Sequence, residues 1–329
     1  MTGKLPITII TGNEQMRTII NRINKIADSE TSILLIGETG VGKEIFAEYI
    51  HKISNRNQNP FVKIGLTAIP AELLASELFG YEKGSFTSAI NAKKGLFELA
   101  HTGSFFFDDI DDVSLEMQAK LLRVLENREV MKLGGSKPIP VDIRLITASK
   151  VDLKEMVQQK RFRDDLYYRI NVIPIHIPPL RERRDDIPLL VDHFLKRFAP
   201  TKGLKIHIDA MRQLIGYNWP GNVRELKNVI HRVSIFAEKE ITSAGLPVEI
   251  RQNDKSENLI KACASCYNDG KMDFNEVVNC VESHMICETL KNTNGNQSDA
   301  AKFLQMSLST FRDKMKKYNL SPQTCTSQQ

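Results

Sequence analysis

The sequence lacks any apolar run approaching the roughly 20 residues that a membrane-spanning helix needs. Its opening, MTGKLPITII, carries one lysine and no small-residue cleavage pattern, so a signal peptide is not expected and the cytoplasm is the expected compartment. Cysteine is missing from the first three quarters of the chain. Cys263 and Cys266 form a C-x-x-C, followed by Cys280, Cys287 and Cys325. These spacings, even with His284, match no common zinc module. Cys280, His284 and Cys287 fall one helical turn apart on one face, where they are expected to pack as small side chains. No internal repeat is present. Charge of one sign is only mildly in excess: 45 Lys and Arg against 40 Asp and Glu give +5, which permits nucleic-acid binding without arguing for it. A chain of 329 residues suggests about two or three domains.

Short apolar runs at 32–36, 61–66, 104–110, 141–148 and 172–177 read as strands. Helical patterns at 43–53, 71–79, 114–126 and 153–159 lie between them. That alternation predicts a parallel sheet covered on both faces. Pro178, Pro179 and Pro188 bracket a change of character, and from Ile187 to Glu238 the pattern is purely helical. Residues from about Glu249 to Asp273 read as a linker, with the polar stretch RQNDKSEN and the turn signal NDGK. A last helical unit runs from Phe274 to Leu320. The expected division is an α/β nucleotide-binding part at 1–176, a helical lid at 177–245, a linker at 246–273 and an all-α helix-turn-helix unit with its tail at 274–329.

Gly37, Glu38, Thr39, Gly40, Val41, Gly42, Lys43 and Glu44 follow a predicted strand and open a predicted helix. Glycines let backbone N–H groups close around phosphates, and the helix N-terminus adds positive potential. Lys43 can reach the outer phosphates. The apolar strand Phe105-Phe106-Phe107 ends in Asp108 and Asp109. Such a strand delivers carboxylates to the edge of the sheet where ligands bind in open α/β folds. Asp108 suits the Mg²⁺ of an ATP–Mg²⁺ complex, and Asp109 the orientation or activation of a water.

The order GETGVGKE, ELFGYEKGSFTSA, GSFFFDDI, RFRDDLYYRINV, PPLRER and WPGNVRELKN resembles the central AAA+ domain of sigma-54-dependent transcription activators, over about residues 8–245. In that family Glu follows the phosphate-loop Lys, as Glu44 does. The resemblance implies arginine fingers at Arg163 and Arg169 that serve a neighbouring subunit, so a ring, typically a hexamer, is expected. It also implies a second sensor arginine at Arg224. A guanidinium at either place would neutralise charge on the transferring phosphoryl group. The family's sigma-contacting loop GAFTGA corresponds to Gly84, Ser85, Phe86, Thr87, Ser88 and Ala89, with the contacting pair Phe86 and Thr87 retained.

Three positions depart from the family. Its catalytic Glu is Asp109 here, the Asn that restrains that Glu is Gly65, and the first sensor Asn is Lys150. Lys150 could instead supply charge to the γ-phosphate. Two arrangements follow: a self-sufficient ATPase, or a weakly hydrolysing subunit that works with a homologous partner. Some members without a regulatory domain, including activators of virulence secretion genes, pair in that way.

Residues 296–311 read as helix, tight turn, helix, and resemble the Fis-type helix-turn-helix of the same activators. Ala300 and Ala301 are small where the helices would cross, and Phe303, Leu304, Phe311 and Met315 are expected inside. Gln305 replaces the usual turn Gly, so strain is expected there. The second helix, 308–318, presents Ser309, Thr310, Arg312, Asp313, Lys316 and Lys317 to DNA. The helix at 275–291 is expected to dimerise. The resemblance thus implies an enhancer-binding AAA+ ATPase that remodels the closed complex of sigma-54 RNA polymerase. Its implied partners are that polymerase, enhancer DNA and other copies of itself, with no membrane. The chain opens just before the AAA+ domain, so control is expected from a homologous activator, a negative regulator protein or expression level. The rival is a DNA-binding regulator that uses nucleotide only for assembly.

Overall fold

The computed structural model describes residues 8–66, 69–85, 91–251, 273–293 and 295–321, in two compact units, Met1–Pro247 and Val248–Gln329. In the first unit, β1 (Ile33–Ile36), β2 (Phe61–Gly65), β5 (Ser104–Asp108), β8 (Arg144–Ser149) and β9 (Ile173–His176) form one parallel sheet, ordered β2-β5-β8-β1-β9. The expected sheet is therefore present, with strand ends shifted by up to three residues. Burial follows the two-residue period of a strand. Phe105 and Phe107 enter a core with Phe97, Leu121 and Leu166, whereas Phe106 enters the opposite core with Ile33, Leu35, Phe46 and Ile146. Uninterrupted apolar runs are what a sheet buried on both faces requires.

Helices α1 (Glu14–Lys25), α2 (Lys43–Lys52), α3 (Ala71–Phe79), α4 (Leu96–Leu99), α5 (Leu115–Asn127), α6 (Leu153–Gln158) and α7 (Asp164–Ile170) accompany the sheet. Two antiparallel ribbons escaped the sequence reading because two- and three-residue strands have no measurable period. They are β3 (Gly80–Tyr81) with β4 (Lys93–Lys94), and β6 (Glu129–Met131) with β7 (Pro138–Pro140).

The lid consists of α8 (Asp186–Phe198), α9 (Ile208–Gly216) and α10 (Asn222–Phe236). The stretch from Ile187 to Glu238, expected to be purely helical, is interrupted by a short strand. Lys205–Ile206 forms a strand, β10, that pairs in parallel with β11, Glu240–Ile241. Trp219 is fully buried, and its ring N–H donates to the Leu214 carbonyl at 2.8 Å.

In the second unit, helices Phe274–Asn292, Gln297–Phe303 and Leu308–Lys317 bury Ile286, Leu290, Ala300, Ala301, Phe311 and Met315 together. Phe303, expected inside, is 72% exposed. Ala300 and Ala301 already fill the helix crossing, and the 3.6-residue period carries Phe303 off that face. Among the described residues, no helix is long and apolar enough to cross a membrane.

Candidate nucleotide cleft and DNA-facing helix

The phosphate loop joins β1 to α2 and depends on two left-handed glycines. Gly42, φ +110°, is the N-cap of α2, and Gly40, φ +81°, has no room for a side chain because a Cβ would lie 2.4 Å from the Gly221 carbonyl. Lys43, the first helical residue, is buried, and its ammonium donates to the carbonyls of Gly37 at 2.7 Å and Glu38 at 3.3 Å. Burial lowers its pKa, an effect partly opposed by the carboxylates of Asp108 and Asp109.

Asp108 ends β5 in register with Gly65 of β2. Its carboxyl is pushed up by burial and then by neighbouring Asp109. Asp109 turns the chain away in a left-handed conformation, φ +55°. These residues border a cavity of about 360 Å³ between sheet and lid. Residues 39–44, Asp108, Asp109 and Arg224 line it, whereas Gly37 and Glu38 do not.

Other lining residues were missed. Thr8, Ile9 and Ile10 form one wall, and the lid adds Arg183, Leu190, His193, Phe194, Arg197, Val223 and Lys227. What seats the N-terminal wall is a buried carboxylate. Asp186 Oδ1 accepts from the Thr11 hydroxyl and Gly12 N–H at 2.7 Å each, and from Asn13 N–H at 3.1 Å. Arg183 beside it donates to the Val41 carbonyl at 2.7 Å.

Several expected residues lie elsewhere. Lys150 does not line the cavity; its ammonium sits 2.6 Å from Asp112 and 3.5 Å from Asp111, and Asp112 holds its pKa up. Its backbone N–H also donates to Asp111 at 3.2 Å. Glu44 lines the cavity, and its carboxylate also faces Lys63 at 2.5 Å. Arg163 pairs with Asp165 at 2.6 Å, and Arg169 donates to the Leu125 carbonyl at 2.7 Å, so neither reaches the cavity of its own chain. Gly84 and Ser85, expected to contact the sigma factor, precede residues outside the description, and a Cβ on Gly134 would lie 2.6 Å from that of Ser85. Phe86, Thr87, Ser88 and Ala89 lie outside the described residues, as do Cys263 and Cys266.

On the last helix, Ser307 caps the N-terminus by accepting from Thr310 N–H at 3.1 Å. Ser309, Thr310, Arg312, Asp313, Lys316 and Lys317 are all exposed there. Four of them are also used internally: Ser309 and Thr310 share hydroxyl contacts with Ser307 at 2.9 and 2.7 Å, Arg312 donates to Gln297 at 3.2 Å, and Lys317 donates to Asn279 at 3.0 Å. Gln305, in the turn, adopts the left-handed conformation, φ +54°.

The chain matches family models for the sigma-54 interaction domain at residues 9–176, the AAA+ ATPase lid domain at 181–262, and the bacterial regulatory protein, Fis family, at 279–318. It is 41% identical over 325 residues to the DNA-binding transcriptional activator HyfR of Escherichia coli, a match spanning 95% of this chain and 48% of that protein. It is 42% identical over 318 residues to the regulatory protein AtoC of Escherichia coli, covering 95% of this chain and 68% of AtoC. The chain therefore spans about half the length of HyfR. The crystal structure of NtrX from Brucella abortus in complex with ATP superposes with a TM-score of 0.69 at 32% identity, over 95% of this chain and 69% of that one.

Proposed function

Since the chain belongs to the sigma-54-dependent transcriptional activators, we propose that it hydrolyses ATP in a ring of subunits and uses that work to convert the closed complex of sigma-54 RNA polymerase into the open one. The observation that carries this reading is the convergence of Lys43, Asp108, Asp109 and Arg224 on one cavity between sheet and lid. Its apolar lining residues, among them Ile10, Leu190 and Phe194, suit a purine base, and its cationic ones, among them Lys43 and Arg224, suit a triphosphate. Lys43 and the α2 N-terminus would bind the phosphates. Asp109 would orient the attacking water, and Arg224 would stabilise charge from the lid side.

Asp108 borders the cavity with its carboxyl pushed up first by burial and then by Asp109, and a hard dication beside it would stabilise the ionised form. Among the described residues no group of three or more His, Cys, Asp or Glu could hold a metal alone, so Asp108 would hold Mg²⁺ jointly with the phosphates. When bound, Mg²⁺ would neutralise charge on the phosphate oxygens. Arg163 and Arg169, neither of which lines the cavity of its own chain, would serve the neighbouring subunit. Residues 84–89 would contact the sigma factor, and the helix Leu308–Lys317 would read enhancer DNA. The division into nucleotide-binding part (1–176), lid (177–245), linker (246–273) and DNA-binding unit (274–329) belongs to the same reading.

Lys43→Ala should abolish ATP binding and promoter opening while sparing enhancer binding. Wild-type ATP affinity in that variant, measured by titration calorimetry, would sink the assignment. A second reading, a weakly hydrolysing subunit that depends on a homologous partner, is favoured by Lys150, whose ammonium is committed to Asp111 and Asp112 rather than to the cleft.

A further inference from the structure

Three successive phosphate-loop residues are bound by the lid. The carboxylate of Glu38 accepts both arms of the Arg181 guanidinium, at 2.7 and 2.9 Å, in the fork geometry that makes such pairs directional. The same carboxylate accepts from the Asn222 amide at 3.1 Å, and that amide also donates to the Thr39 carbonyl at 3.1 Å. The Gly40 carbonyl accepts from Arg224 N–H at 3.2 Å.

Asn222 is fully buried and left-handed, φ +53°, and its amide oxygen accepts from Leu180 N–H at 2.8 Å. It ties the segment carrying Arg181 to the start of α10. Such strain persists only where surrounding contacts overdetermine it. The Glu38–Arg181 pair differs in kind, since its side chains are 41% and 39% exposed. Water can replace that contact at small cost, whereas the Asn222 contacts cannot open without leaving buried polar groups unpaired.

We propose that Glu38 and Arg181 form a latch between phosphate loop and lid that sets how long bound nucleotide is retained, with Asn222 as its fixed pivot. Both latch residues act through the loop and the lid as positioning residues. Nucleotide held between these parts leaves only when they separate, and separation breaks the ion pair first. The inference rests on the nucleotide cleft proposed above.

The test is stopped-flow dissociation of a fluorescent ADP analogue from the full-length protein. Arg181→Ala and Glu38→Gln should each raise the dissociation rate about three- to fivefold, the size of an exposed ion pair. The double variant should be no faster than the faster single one, because both substitutions remove the same contact. Arg181→Lys, which keeps the charge and loses the fork, should recover part of the retention. The wild-type advantage should shrink in high salt. Unchanged dissociation in both single variants would overturn the latch, as would additive effects in the double variant. A wild-type protein that binds no analogue would overturn the cleft assignment and the latch with it. A circular-dichroism melt matching wild type separates latch loss from lid unfolding.

Discussion

Asp109 illustrates how one methylene can matter. Its backbone is left-handed, φ +55°, a conformation that short acidic side chains tolerate better than longer ones. The position therefore suits Asp, while the chemistry of the family's Glu needs reach. Asp109→Glu should carry the carboxylate about 1.5 Å further toward the water and raise steady-state phosphate release about tenfold, since misplacement on that scale costs up to ~10²-fold. An equal or lower rate would remove the weakened-subunit reading. The same substitution should lower the melting temperature slightly, through backbone strain of about 1 kcal/mol. The charges beside it dictate a pH profile. Burial pushes Asp108 up and Lys43 down, so both are poised nearer neutrality than their free counterparts. Binding of ATP–Mg²⁺ needs Asp108 ionised and Lys43 protonated. Affinity should therefore fall on the acid side, as Asp108 gains its proton, and on the alkaline side, as Lys43 loses its own. Asp108→Asn should weaken binding throughout and flatten the acid limb in a calorimetric pH series. An unaltered acid limb would show that another group titrates there.

Elements were readable from the sequence where local pattern decides them and obscure where distant partners do. The run Phe105-Phe106-Phe107 announces a strand buried on both faces, and that strand delivers Asp108 to the cleft. The wall of Thr8–Ile10 gave no such signal, because its anchor, Asp186, lies more than 170 residues away in the lid. Asn222 was likewise opaque: nothing local shows that its amide spans two phosphate-loop residues. In the C-terminal unit the reading of Phe303 as core failed, whereas the strain expected at Gln305 is present as φ +54°. Gln305→Gly should relieve that strain by about 1 kcal/mol, less a smaller entropic cost of glycine in the unfolded chain. The expected outcome is a modest rise in the melting temperature of the full-length protein's C-terminal transition. Any fall would show that the Gln305 side chain contributes more than its backbone costs. Ala300→Leu should do the reverse, by about 1–3 kcal/mol, since Ala300 is fully buried at the helix crossing.

At the scale of the whole molecule, the placement of the two arginines carries the most consequence. Arg163 pairs with Asp165 and Arg169 with the Leu125 carbonyl, and neither lines the cavity of its own chain. If each serves the next subunit, a complete site needs the phosphate loop of one chain and the fingers of its neighbour. Rings are built from such head-to-tail interfaces, in which one subunit presents two different surfaces. Lys43→Ala loses the loop and keeps the fingers; Arg169→Ala loses a finger and keeps the loop. Alone, each variant should be nearly inactive in steady-state phosphate release. Mixed in equal amounts, they should recover activity, because about a quarter of random neighbour pairs then join an intact loop to intact fingers. Activity should climb as the proteins exchange subunits and vanish on dilution below the concentration at which the ring holds together. If the fingers acted within their own chain, every subunit in the mixture would carry one defect, and no mixing ratio would restore turnover. A mixture as inactive as its components would thus exclude the shared site and require Arg169 to reach its own cleft by a rearrangement of α7.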